Sequence, residues 1–149
     1  MAIQVLSSGS ENRKPGFTPR SGQTFYAGRP VNLDPADSTG QTLMTGDGTT
    51  LAIGLALETT AAAADPAVFY DDYHRGGLIS YVCGMGVEVD VWNDGRGAIF
   101  DAAQTYIVGQ SLYNGATNLI TNQSNGTAIG TCTKVPTSST DTLRMKLLI

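Results

Sequence analysis

The chain has 149 residues, nine Lys and Arg against thirteen Asp and Glu for a net charge of −4, and 18 glycines. One domain of this length buries roughly 68–70% of its extended-chain surface, enough for a core without covalent staples. So acidic a chain lacks the phosphate-neutralising charge of a general nucleic-acid binder. With 15% charged residues and abundant Gly and Thr, it suits short strands and tight turns better than long helices.

Residues 1–22 read as an extended N-terminal arm preceding a domain over 23–149. The stretch 7–20 is polar, carries Pro15, Gly16 and Pro19, and holds one large apolar residue, Phe17. Such a segment buries too little apolar surface to offset its ordering entropy, so it is expected to be extended or disordered in the isolated chain. Residues 1–6 alternate weakly through Ile3 and Val5 and could pair as a strand with another element. Arg13, Lys14 and Arg20 make a local basic patch opposed only by Glu11. The first sixteen residues lack the basic start and apolar run of a signal peptide. No segment approaches the ~18 consecutive apolar residues of a membrane-spanning helix.

From residue 23 short strand-like runs follow, over 23–31, 50–57, 79–83, 86–92, 105–108, 112–113, 128–135 and 142–149. Val87, Val89 and Val91 alternate with polar neighbours, and Leu143, Met145, Leu147 and Ile149 do the same in the final run. That period of two marks strands with one buried face. Turn signals separate the runs at 46–48, 93–95, 114–115 and 125–126. The segment 59–75 breaks the rhythm and reads as a helical turn or an ordered loop, with Phe69, Tyr70, Asp71, Asp72, Tyr73 and His74 as its most distinctive cluster.

One design is used twice. The run 23–31 (QTFYAGRPV) matches 104–112 (QTYIVGQSL), and 52–57 (AIGLAL) matches 128–133 (AIGTCT). Each copy reads as a strand, a Gly where the backbone bends, a turn, and a strand of small residues that packs closely. Two such halves close into a compact barrel or sandwich.

Candidate chemistry is sparse. His74 is the single histidine, and no G-x-S-x-G elbow accompanies it for a Ser–His–Asp triad. Asp71, Asp72 and His74 offer metal-ligand atoms without the spacing of a zinc or calcium site. No metal or cofactor is expected. The short G-x-G patterns open no helix after a strand, so they lack the phosphate-binding context and read as turns. Cys83 and Cys132 read as small buried hydrophobes, and a disulfide between them stays open. Tyr26, Tyr73, Tyr81, Tyr106, Tyr113 and Trp92 read as core and interface residues, with a sugar-stacking platform as the other use.

The polar arm, then FYAGRPV at 25–31, the turn GDG at 46–48 leading into AIGLAL, GVEVDV at 86–91, YIVGQSLY at 106–113 and the closing strand resemble, in that order, the capsid decoration (cement) proteins of tailed phages. The resemblance covers residues 23–149. It implies an all-β, small β-barrel fold of the β-tulip kind found in lambda-type head-stabilising proteins. It also implies a non-enzymatic virion protein on the outer capsid surface, made in the host cytoplasm, that bridges major capsid protein subunits. Trimers are its favoured self-association, with dimers also found, and neither nucleic acid nor membrane is a partner. Arg13, Lys14, Phe17 and Arg20 of the arm are then the expected capsid contacts. The segment 59–75 departs from the family pattern and leaves the oligomer contacts open. The competing readings are another virion β-protein of the tail, neck or head-fibre base, then a carbohydrate-binding module, and last a small hydrolase.

Overall fold

A computed structural model describes residues 2–6, 12–61, 78–93 and 97–149. The fold is all-β, and no helix occurs among these residues. Strands β2 (Asn12–Pro19), β4 (Pro30–Leu33), β5 (Thr42–Thr45), β6 (Gly54–Ala56) and β8 (Ile79–Cys83) close a barrel in the order β2-β5-β4-β6-β8. The β2–β5 contact is parallel and the other barrel pairs are antiparallel. Strands β1 (Ile3–Val5), β9 (Glu88–Trp92), β10 (Ser111–Asn114), β11 (Ile120–Thr121), β12 (Gly130–Lys134) and β13 (Thr142–Leu147) form a six-stranded sheet in the order β1-β9-β13-β12-β10-β11. A short pair, β3 (Thr24–Phe25) with β7 (Thr60–Ala61), completes the set.

Alternation along β6 and β8 divides the core in two. Ala56, Ile79 and Tyr81 turn into the barrel with Phe25, Val31 and Leu43. Leu55, Leu57 and Val82 turn the other way and join Val87, Val89, Val91, Leu143, Met145 and Leu147 of the sheet. The β6–β8 wall therefore serves both interiors, as the period of two along a strand allows. The final run behaves as its pattern predicts: Leu143, Met145 and Leu147 are fully buried while Lys146 is exposed. On the outer face of that strand Arg144 pairs with Asp90 opposite it in β9, at 2.8 and 3.1 Å.

The doubled sequence is also doubled in its backbone hydrogen bonds. Gly28 N donates to Ala56 O, and Gly109 N donates to Cys132 O, each at 2.8 Å. Arg29 N bonds Tyr26 O, and Gln110 N bonds Ile107 O. Ile53 N bonds Val31 O, and Ile129 N bonds Leu112 O. The glutamines that open the two copies do the same work: Gln23 Oε1 accepts from Thr45 N at 2.9 Å and Gln104 Oε1 from Asn122 N at 2.8 Å. The parallel contact Pro19–Leu43 that closes the barrel has its counterpart in the parallel bridge Phe100–Ile120. Thus β2, β4, β5, β6 and β8 correspond in order to β9, β10, β11, β12 and β13, and the second half repeats the plan of the first. Gly28 and Gly109 both sit at positive φ, +100° and +88°, where a side chain would be strained.

The segment expected as a detached arm differs from that expectation. Ile3 and Ala2 lie in the larger core, β1 pairs antiparallel with β9, and β2 is a wall of the barrel. Proline and glycine made 12–19 read as a break. The strand accommodates them through a register shift between Lys14 and Phe17, which takes up Pro15 and Gly16 where no ladder bond is required. The run 105–108 is not a strand: its backbone curls into the turn closed by Gln110 N on Ile107 O, and Ile107 N bonds the Gln110 side chain at 3.1 Å. The run 23–31 divides at a turn into β3 and β4. Of the irregular segment 59–75, the start supplies β7, while 62–77 lies outside the described residues.

Candidate functional site

A cleft of about 540 Å³ opens where the barrel wall meets β1, the edge strand of the sheet. Its apolar lining includes Ile3, Val5, Leu57, Leu78, Ile79 and Trp92, and Arg13, Pro15 and Gly16 of β2 stand along one side. Of the polar residues at the cleft, which include Gln4 and Ser80, Glu58 is buried and holds the barrel wall: its carboxylate accepts Ser80 N at 2.7 Å and the Ser80 hydroxyl. A buried carboxylate already accepting two bonds is a structural clamp. The arrangement offers an apolar trough beside a strand edge, the geometry that accepts an extended segment of another chain.

Of the four residues expected to touch a partner, Arg13 and Lys14 are adjacent and exposed on β2. Arg20, just beyond the strand, is exposed, pairs with Asp34 at 3.6 Å and reaches Met44 Sδ at 3.7 Å. Phe17 is half-buried, its ring centroid 5.2 Å from that of Tyr81, and packs against the barrel core. The cations therefore sit on one barrel strand and its end, with Phe17 serving that strand's seating.

The carboxylates are largely committed to turns. Asp47 accepts the amides of Thr50 and Thr49 at 2.7 and 2.9 Å, and these bonds hold it down at about 2. Asp37 is likewise held at about 2, first by the Thr39 hydroxyl and amide and then by Thr42. Asp141 accepts from Thr137 and Lys134 and lies well below the carboxylate range. Among the described residues no three His, Cys, Asp or Glu side chains gather to hold a metal ion. Asp71, Asp72, Tyr73 and His74 lie outside those residues.

The other aromatic candidates are spoken for singly. Tyr106 is buried, its hydroxyl donates to Asp101 O and Ile120 O, and burial pushes it upward. Tyr26 is capped by the Arg29 guanidinium, 4.3 Å from the ring centroid. Tyr81 faces Phe17. Cys83 and Cys132 are free thiols, and burial pushes the Cys132 thiol up.

Two surface features escaped the reading of the sequence. One is the cleft, which arises from residues far apart in the chain. The other is the exposed pair Ile107 and Val108, hidden within an apolar run that reads as a buried strand. Its signal was the following Gly109, which matches the turn glycine of the first copy. No protein-family model matches the chain, and no curated protein matches it in sequence.

Proposed function

We propose that this chain is a structural, protein-binding β-barrel of a tailed-phage virion that docks on the outer capsid surface and bridges major capsid protein subunits. The observation that carries the reading is the cleft between β1 and β2: an apolar trough, an edge strand and the exposed cations Arg13 and Lys14 occur together. An extended capsid segment laid in that trough gains apolar burial and main-chain bonds, and an acidic neighbour gains the two cations. Lattice repetition then makes many modest contacts act together.

The test is co-sedimentation with expanded heads purified without this protein. The intact chain is expected to pellet with heads at saturable stoichiometry. Lys14→Glu, an exposed change, is expected to weaken binding roughly tenfold, about 1.4 kcal/mol, and to steepen neither thermal nor urea unfolding. Intact chain that stays in the supernatant at every head concentration refutes the proposal.

A further inference from the structure

Two Asn-Gly pairs occur in the sequence, Asn114-Gly115 and Asn125-Gly126. Such a pair carries a reaction of its own. The Gly backbone nitrogen gives up its proton to solvent and attacks the Asn Cγ. The Cγ–Nδ2 bond breaks, and ammonia leaves with a proton returned from solvent. Water then adds to either carbonyl of the succinimide so formed, giving aspartate or isoaspartate. Glycine favours ring closure because it has no Cβ to shield its nitrogen or restrict its backbone angles. The fold decides which pair reaches that geometry.

Asn114 is held away from it. It is the last residue of β10 and is buried, and its Oδ1 accepts from Asn118 Nδ2 at 3.4 Å. The attacking atom is engaged as well: Gly115 N donates to Leu119 O at 2.9 Å, and Asn118 N returns a bond to Gly115 O. Both groups are freed only when the β10–β11 hairpin opens. Asp47-Gly48 has the same backbone but a poorer electrophile, because its carboxylate is charged at neutral pH and accepts the Thr49 and Thr50 amides.

Asn125 stands differently. It lies in the connection between β11 and β12, outside any strand, and is only partly buried. Gly126 is exposed, sits at φ +64°, and its N donates to no group among the described residues. With Gly48 and Thr127 the pair lines a hollow of about 110 Å³. There the side chain has room to turn toward Gly126, and water has access to the ring. One bond restrains Asn125: its Nδ2 donates to Asn114 O at 2.8 Å. The same Nδ2 lies against the first half, where a Cβ on Gly48 would stand 2.6 Å from it. A single part-buried hydrogen bond breaks far more often than a hairpin opens.

We propose that Asn125 is a modification site, converting spontaneously to aspartate or isoaspartate while Asn114 stays intact, and that the conversion loosens the contact between the two halves. The product has no donor at the Nδ2 position. A carboxylate oxygen there faces the Asn114 carbonyl oxygen, acceptor against acceptor, beside the Gly48 turn. At that turn the first half meets the Asn-rich hairpin of the second: Asn118 Nδ2 donates to Pro30 O at 2.9 Å, and Gly46 packs on the Asn114 and Asn118 side chains. The reaction runs one way, so its product accumulates with the age of the molecule. The inference is independent of the capsid reading, since it concerns a seam inside the chain and not the cleft.

The test incubates the full chain in warm, mildly alkaline buffer, which promotes loss of the amide proton, and follows both sites by peptide mapping with mass spectrometry. Asn125 is expected to convert at least about tenfold faster than Asn114, because Asn114 reacts only from the opened hairpin. In strong urea the two rates should converge, which ties the difference to the fold. Asn125→Asp, made directly as the product, is expected to lower the urea midpoint at neutral pH with an unaltered slope. Equal rates in the folded chain, faster conversion at Asn114, or an Asn125 that converts in urea but never in the folded chain overturns the proposal. So does a rate ratio that persists in urea, which would place the difference in the neighbouring residues. An Asn125→Asp variant that unfolds at the parent's midpoint overturns the loosening of the seam.

Discussion

Replacing Ile3 by Ala distinguishes a strand built into the body from a trailing arm. Ile3 is 1% exposed and packs in the larger core with residues of the sheet and of the β6–β8 wall. Its strand is held on β9 by Leu6 N to Glu88 O at 2.8 Å and Trp92 N to Ala2 O at 3.1 Å. Truncating a fully buried Ile to Ala costs about 2–5 kcal/mol, the transfer of the lost methyl groups plus the cavity left behind. The core around Ile3 belongs to the rigid sheet and its own strand lies at the edge, so partial closure puts the value near ~3 kcal/mol. For a chain of this size about 1 kcal/mol moves the melting temperature by roughly 2–4 °C, so a fall of roughly 6–12 °C is expected. Urea unfolding followed by the fluorescence of Trp92, the single tryptophan, reads the same change as a lowered midpoint with an unaltered slope. In a free arm the same substitution is silent. A change within about 0.5 kcal/mol of zero refutes the placement of β1 in the core.

Two further predictions rest on the repeat and on the turns. Gly54 and Gly130 are equivalent positions in the two halves, but a Cβ on Gly54 meets the Val82 carbonyl oxygen and sits 2.5 Å from Tyr81 Cδ2, whereas at Gly130 it meets the movable end of Met145 and then Lys146 O at 2.9 Å. Gly54→Ala is expected to cost more than Gly130→Ala, about 3 against about 1 kcal/mol, and equal urea midpoints would refute the difference in what each glycine faces. Asp47 is held at about 2 against its ordinary 3.8, so its bonds to Thr49 and Thr50 contribute fully above 3.8 and are lost as pH falls through about 2. The Thr49 and Thr50 amide resonances should therefore titrate with a midpoint near 2, and a midpoint near 3.8 would show that the carboxylate is not holding the turn.

Strand type and the final strand were legible because alternation is a local signal: Leu143, Met145 and Leu147 announce their buried face without help from the rest of the chain. The repeat was legible for a related reason, since a bend that needs Gly and a first-position Gln that caps the neighbouring strand write the same letters twice. What the sequence hid was long-range. Pro15, Gly16 and Pro19 read as breaks because the parallel partner at Thr42 and Leu43 and the register shift that excuses the prolines lie elsewhere in the chain. The run over 105–108 read as a strand because its apolar content was visible and its exposure was not. The cleft was illegible throughout: its walls come from β1, β2, β8 and the residues after β6, and no window of sequence spans them.

Duplication explains why a chain built on one plan has an asymmetric surface. Two identical halves packed by a two-fold axis would bury the same patch from each side and leave nothing over. Here the halves meet through the 26–29 turn of one against 97–99 of the other, a segment between β9 and Phe100 that the first half, with a single residue between Phe17 and Pro19, does not repeat. β1 adds a second asymmetry. It covers the edge of β9, and no described strand covers the corresponding stretch of β2, whose edge is instead guarded by Arg13, Lys14 and Pro15. Lysine and proline on an edge suppress indiscriminate strand pairing and leave it open to a partner that supplies matching charge. The cleft falls on this uncovered side of the first half, with Pro15 and Gly16 in its lining. An apolar trough beside an edge guarded in this way favours an extended segment that carries acidic residues over an uncharged strand.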